Sequence, residues 1–373
     1  MKEQYSRKYR RDILRGVGAV GAVGLAGCLG DDDDDDADDG DDTTPADDSD
    51  DMADDGDDAD DAPQDATELV VGTAAEATAN FQAFNGFASL INESTDEVYL
   101  DVRPTDGMVA NIGMMDRGEL DAGLFTTQIA SEIRDEVEPF DNLSFQPSQI
   151  FHTASTDWLL VTEDEDIQTF EDLEGATIGP GPAGTSVIEY FEYVLDLLEI
   201  DYESIEPTGF GDIGSALAEG RIDVGLSATN NAGTQPIQPG WVDPIQGTVD
   251  VHIIGVSDDH MDILMEDPYV EIVEFDDDDI ADGYTDVPSP IRAFVAATYL
   301  GGPVDLDYDA VYTTLETAWE NRDQLGDYHE FGVMHQQDEH WVDWAFEGIP
   351  FHAAAADFYE EVGLWNDDWE RAD

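Results

Sequence analysis

Ala176-Thr-Ile-Gly-Pro-Gly-Pro-Ala-Gly-Thr-Ser-Val-Ile-Glu-Tyr-Phe191 opens as a short apolar strand, turns through glycine and proline, and continues as an amphipathic helix starting near Thr185 and Ser186. A helix that opens behind glycines leaves its first backbone N–H groups unbonded and presents the positive end of its dipole, which makes the turn an anion site. From Gly179 the spacing is that of a phosphate loop, G-x-x-x-x-G-x-S, but Thr185 stands where that loop requires lysine. Without lysine nothing reaches a terminal phosphate. Gly184, Thr185 and Ser186 therefore read as a cradle for a smaller anion, most simply a carboxylate. The same residues also suit an ordinary strand-to-helix turn of an α/β domain, and the motif alone leaves both readings open.

The chain has 373 residues and a formal net charge of −77. That length accommodates two sizeable cores. Lys2, Arg7, Lys8, Arg10, Arg11 and Arg15 all precede Cys28. Beyond it there is no lysine, and the arginines are Arg103, Arg117, Arg134, Arg221, Arg292, Arg322 and Arg371. A surface this anionic repels DNA, RNA and anionic lipid, so nucleic acid is excluded as a partner. Such self-repulsion is tolerated where salt screens it, the Debye length falling to roughly 3 Å at 1 M; a brine-exposed, halophilic protein is expected. A single cysteine allows neither an intramolecular disulfide nor a cysteine-based metal site.

Residues 1–27 read as a twin-arginine lipoprotein signal. Tyr9-Arg-Arg-Asp-Ile-Leu-Arg15 is followed by an apolar run, Gly16–Leu25, that falls short of the roughly 20 residues a bilayer span needs. Leu25-Ala-Gly-Cys28 resembles a lipoprotein signal-peptidase box, with Cys28 as the lipidated residue; the alternative is a plain signal peptide cut elsewhere. Residues 28–66 are rich in Asp, Gly, Ala and Thr with almost no large apolar side chain, so they are expected to be a disordered tether. The expected location is the outer face of the cytoplasmic membrane.

From Glu68 onward the pattern is strand, loop, helix, repeated. Leu69-Val-Val-Gly72, Val98–Arg103 and Asp121–Phe125 are strand candidates, each followed by a helical face such as Phe81, Phe84, Phe87, Ala88 and Ile91. This is the signature of parallel sheets with helices on their faces, whose ligands bind beyond the carboxyl ends of the strands. Arg117-Gly-Glu-Leu-Asp-Ala-Gly-Leu-Phe125 is echoed by Gly220-Arg-Ile-Asp-Val-Gly-Leu-Ser227. The echo implies two similar lobes, placed at 67–153 and 154–256, with 257–373 as the return through the hinge to the first lobe and the C-terminal helices. Arg292, in a strand-like run beside Pro290, is a candidate for the cleft; a structural ion pair is its other reading. His335 and His340 are five apart, the wrong spacing for one helical face, and His152, His252 and His352 sit among apolar neighbours as satisfied core residues. No G-x-S-x-G elbow or free cysteine nucleophile is present, so no enzyme and no cofactor or metal is expected.

The folded part, from about Leu69 to Leu364, resembles the TAXI-type solute receptors of TRAP transporters. Gly72-Thr-Ala-Ala75 stands at the family's glycine-rich first loop, Thr105-Asp-Gly-Met-Val-Ala-Asn111 at its T-G-G-S-V-x-N segment, and Arg117–Gly123 at its S-G-E-A-D-L-G entry. Asp172–Thr185 is similar to its second-lobe D-L-x-G-K-x-V-x-x-G-x-x-G-S-G-T, and Ile349-Pro-Phe-His352 through Gly363 to its closing motif. The resemblance implies a type II periplasmic-binding-protein-like α/β fold of two hinged lobes with the ligand cleft between them. It also implies a small carboxylate ligand, such as glutamate, glutamine or another organic acid, and delivery to an ion-gradient-driven permease. Ligand contacts are expected from Thr73, Ala74, Thr105, Gly107, Met108, Thr126, Thr127 and Gln128 on one lobe and from Gly184, Thr185 and Ser186 on the other, with Arg292. Thr126, Thr127 and Gln128 replace the family's Gln, Ser and Asp, and Met108 replaces Ser, which points to a different ligand. A surface sensor or scaffold lipoprotein without a transporter is the rival expectation, and a secreted hydrolase the second.

Overall fold

The structure is a computed structural model, and it describes residue 63 and residues 66–372 apart from 77, 184, 231–236, 268, 277–279 and 281–282. The signal segment, Cys28 and the acidic tether lie outside the described residues. The strands are β1 (Thr67–Gly72), β2 (Val98–Arg103), β3 (Ala122–Thr126), β4 (Pro147–Thr162), β5 (Thr177–Gly179), β6 (Ser204–Ile205), β7 (Val224–Asn230), β8 (His252–Ile253), β9 (Ile272–Phe275) and β10 (Ile291–Pro303). The helices are α1 (Ala79–Ser94), α2 (Met108–Asp116), α3 (Thr127–Arg134), α4 (Ser186–Leu197), α5 (Ile213–Ala218), α6 (Asp243–Thr248), α7 (Asp258–Leu264), α8 (Tyr308–Glu320), α9 (Leu325–Tyr328) and α10 (Ala353–Val362).

The strands hydrogen-bond in the order β2-β1-β3-β10-β4-β7-β5-β6, with β8 on β4 and β9 on β10. β1 pairs parallel with β2 and β3, and β5 pairs parallel with β6 and β7. Two long antiparallel strands separate these parallel groups. β4 spans 16 residues, about 50 Å at strand rise, so it runs through both halves of the molecule. The two apolar runs read in the sequence between Ser148 and Val161 are this single strand.

The apolar residues fall into two clusters. One gathers Leu69, Val71, Phe84, Phe87, Leu124, Phe151, Tyr299, Leu315 and Tyr359; the other gathers Leu159, Val161, Ile178, Phe191, Leu226, Val270, Phe275, Ile291 and Phe294. Segment 257–294, read in the sequence as part of the return to the first lobe, packs instead with the second cluster. The chain crosses back later, within β10, because Phe294 is the last residue of that strand in the second core and Tyr299 the first in the other. This is a type II periplasmic-binding-protein architecture, two α/β lobes joined by crossover strands.

The echo between the lobes reproduces its hydrogen bonds. Gly118 and Gly220 both take left-handed φ, 68° and 64°, to close the turn after a helix. The Asp121 carboxylate accepts from the N–H of Val70 while its own N–H donates to the Val70 carbonyl; Asp223 does the same with Thr177. Each lobe thus clips the entry of one strand to its parallel neighbour with the same aspartate.

Asn111 performs a comparable service at the other end of the first lobe. Fully buried, its Nδ2 donates to the carbonyls of Gly72 (3.2 Å), Thr73 (2.7 Å) and Leu124 (2.9 Å). A methyl group on Gly72 would lie 2.7 Å from Asn111 Oδ1, so glycine is required for this approach. Asn111→Ala strands several buried polar groups, and chemical denaturation should show a loss of roughly 3 kcal/mol. A loss under about 1 kcal/mol would contradict this role.

Candidate functional site

Between the two apolar cores β4 reads Thr153-Ala-Ser-Thr-Asp157 and β10 reads Val295-Ala-Ala-Thr298, and none of these residues belongs to either core. They are nevertheless mostly buried: Ser155, Asp157, Ala297 and Thr298 all have little exposure. The pairing slips between Thr298 and Tyr299, leaving Thr153 as an extra residue on β4, a bulge that sharpens local twist. The seam is therefore polar, closely packed and locally irregular, and the carboxyl ends of both lobes' strands converge on it. Thr126 at the end of β3 pairs with Thr298, and Asn230 at the end of β7 pairs with Thr156. Those positions are three strand spacings apart, about 14 Å, and two residues apart along the strands.

The echo carries into this seam. Counting from Asp121 and from Asp223, Thr127 and Thr229 fall at the same step, as do Gln128 and Asn230. Gln128 Nε2 donates to the Val295 carbonyl on β10 (3.2 Å), and Asn230 Nδ2 donates to the Ser155 carbonyl on β4 (2.9 Å). Each lobe is thus tied to a crossover strand by an equivalent amide. Thr127 and Thr229 are 2 % and 1 % exposed, and neither hydroxyl has a hydrogen-bond partner among the described residues. Asn230 Oδ1 is in the same condition. Buried polar atoms are seldom left this way, and here they lie at matched strand ends of opposite lobes. Thr229 and Asn230 were missed in the sequence reading, although the echo, extended past its eighth residue, points to them.

The other expected site residues divide. Thr73 is fully buried and its hydroxyl donates to the Arg103 carbonyl (3.0 Å), while Thr105 donates to Asn111 Oδ1 (2.7 Å). Both hydroxyls hold strand ends together. Ala74 is buried beside them, and Thr126 caps α3 by accepting from the Ile129 N–H. Gly107 precedes α2 with φ 126°, and Met108 leans on the first core. On the second lobe the Thr185 hydroxyl donates to the Pro182 carbonyl (2.7 Å) and makes no capping bond to α4. Its donor braces the turn. Gly184 lies outside the described residues, and Ser186 is described only as the first residue of α4.

Arg292 makes the structural ion pair of its other reading. Its guanidinium meets Asp258 (2.5 Å) and Glu274 (2.6 Å) and donates to the Val256 carbonyl (2.7 Å), all on the second lobe. The other arginines beyond Cys28 also sit against carboxylates, for example Arg103 with Asp101, Arg134 with Asp135, and Arg371 with Asp357.

The histidines hold a surprise. His252 and His352 bond backbone carbonyls of Ile167 and Leu306. His335 and His340, spaced wrongly for one α-helix, lie on successive 3-10 turns (Glu330–Gln336 and Asp338–Val342), and their rings come within 4.8 Å. His340 also lies 4.5 Å from His152, whose Nδ1 bonds the His340 carbonyl (3.0 Å). Backbone groups near His335 stop short of hydrogen-bond geometry, and neither of its ring nitrogens is paired. Among the described residues no set of three His, Cys, Asp or Glu is arranged to hold a metal ion. Burial pushes His152 down to about 3 and His335 to about 4, and holds His340 well below the usual range. Beside this cluster, at the carboxyl end of β3, lies a small cavity of about 20 Å³ lined in part by Asn80, Phe84, Phe151, Thr153 and His335.

The model of the NMT1-like family matches residues 71–363. Among curated protein sequences none matches. Three solved structures show distant likeness. The probable amino-acid ABC transporter extracellular-binding protein ytmK of Bacillus subtilis is 11% identical with a TM-score of 0.43, over 72% of this chain and 97% of that one. Substrate-binding domain 2 of GlnP from Lactococcus lactis, in its open conformation, is 13% identical with a TM-score of 0.37, over 72% and 97%. A putative L-cystine ABC transporter protein of Listeria monocytogenes is 13% identical with a TM-score of 0.39, over 75% and 98%.

The three buried histidines make stability depend on pH in a definite direction. Their folded pKa values lie below the unfolded value near 6.5, so their neutral forms stabilise the fold fully above it and that contribution is lost as pH falls towards 4. Melting temperature in constant high salt should fall across that window, and His335→Phe should flatten the slope. An unchanged slope would show that His335 does not titrate with unfolding.

Proposed function

We propose that this chain, which belongs to the NMT1-like family, is an extracytoplasmic receptor that closes by hinge motion on a small solute. The single observation that carries the reading is the matched pair of hydroxyls, Thr127 and Thr229, buried at equivalent steps of the two lobes' echoed segments and without a partner among the described residues. A ligand bonded to both gains its contacts only when the lobes are together, so binding favours the closed form by its differential affinity. The crossover seam is the place for the motion, because it belongs to neither apolar core.

The finer parts of the proposal are a carboxylate ligand and a TRAP-type permease of the TAXI kind, supported by the motifs quoted for that family. Since the arginines beyond Cys28 are spent on the protein's own acids, the carboxylate is held by hydroxyls and by backbone N–H groups near the start of α4. Lipid attachment at Cys28 and a flexible tether hold the receptor against the membrane, beside its permease.

Thr127→Val and Thr229→Val separate function from stability. Each removes a hydroxyl that the unliganded fold leaves unsatisfied, so melting temperature without ligand should hold or rise. Affinity for the solute should fall by about 1–2 kcal/mol in each variant by calorimetry. Full affinity in both variants would sink this assignment. In membrane vesicles carrying receptor and permease, uptake should follow an imposed ion gradient and survive ATP depletion; dependence on ATP would contradict the TRAP assignment.

A further inference from the structure

We propose that the cavity beside β3 is the specificity pocket of the receptor site, and that it takes the uncharged, mainly apolar tail of a monocarboxylate. This rests on the receptor reading above and adds the ligand's chemical class to it. The cavity is placed where a tail would go. It reaches Leu124, two residues before Thr126, and Thr153 and Ala154 of the crossover seam, so its mouth adjoins the strand ends that hold the solute.

Its walls choose the chemistry. Phe84, Phe87 and Phe151 form a stacked aromatic wall, with centroids 5.6 Å apart for the first pair and 4.9 Å for Phe87 and Phe151. Phe331 and Leu325 continue the apolar surface from the C-terminal segment. Among the described residues lining the cavity there is no Asp, Glu, Lys or Arg. A second carboxylate or an ammonium group entering here would be desolvated without a counter-charge, which is prohibitive in so apolar a setting. The polar side chains on its wall are those of Asn80, Thr153, His329 and His335. His335 is 5 % exposed, lines the cavity, and has both ring nitrogens unpaired. Being neutral at physiological pH, it offers one donor and one acceptor and no charge. The cavity of about 20 Å³ is the size of roughly one water, so a bound tail has to push the half-buried lip at His329 and Gly332 outward.

The pocket therefore disfavours glutamate-like and other dicarboxylate ligands and selects acids with branched-aliphatic or aromatic tails. The test uses the exported chain in high salt and two matched series: pyruvate, 4-methyl-2-oxopentanoate, phenylpyruvate and 2-oxoglutarate, and alanine, leucine, phenylalanine and glutamate. Calorimetry should show the uncharged-tail acids binding at least tenfold more tightly than the acid of the same series with a charged tail. Ala83→Leu, a half-buried helix position on the cavity wall that accepts a larger side chain without disturbing the core, should weaken the tailed acids tenfold and leave the short acid unchanged. Equal or tighter binding of 2-oxoglutarate or glutamate, or an Ala83→Leu effect that is the same for short and tailed acids, overturns the pocket while the receptor reading stands. No binding by any acid to a folded sample overturns both.

Discussion

A buried hydroxyl without a partner costs on the order of 1–3 kcal/mol, and a fold keeps one only where something else occupies the place in use. Most of this molecule obeys the rule of pairing strictly: Asn111 satisfies three carbonyls, Thr73 and Thr105 close their own loops, and Asp121 and Asp223 clip strands in each lobe. Among the exceptions in the described residues, the hydroxyls of Thr127 and Thr229 lie on either side of β4 and β10, where the apolar cores stop. Each lobe has its own apolar core. What lies between them, on β4 and β10, is held by hydrogen bonds and small side chains.

Charge sets a second constraint. With a net charge of −77 the chain depends on screening, and its few arginines serve its own carboxylates. Arg292 shows the pattern most clearly, bridging Asp258 and Glu274 near β9 and β10. A receptor of the proposed kind, built this way, would have to hold an acid through neutral donors. It also has no cation with which to pair a second negative charge deep in a pocket, which agrees with the uncharged walls around His335.

Much of this was legible in the sequence because it depends on local pattern. The alternation of strands and helices, the glycine turn at Gly179–Thr185 and the echo of Arg117–Phe125 in Gly220–Ser227 all encode short-range geometry, and the folded lobes follow them. Extended to Thr229 and Asn230, the echo also points to the second-lobe counterparts of Thr127 and Gln128. Other features depend on contacts between distant segments. Whether Thr73 and Thr105 face a ligand or a backbone carbonyl is decided by Arg103 and Asn111, and periodicity says nothing of that. His335 and His340 looked incompatible because spacing was judged on an α-helix, whereas two 3-10 turns joined at Gln337 bring the rings together. The late return of the chain to the first lobe was hidden for the same reason: β9 joins β10 by tertiary pairing.

The most direct test is a structure of the protein with its solute, taken from native purification or from the acid series in high salt. The account predicts one ligand bonded at once by the Thr127 and Thr229 hydroxyls, with β4 and β10 forming its floor at Thr153–Asp157 and Val295–Thr298. A solute held by one lobe alone, with both hydroxyls still unpartnered, would contradict it.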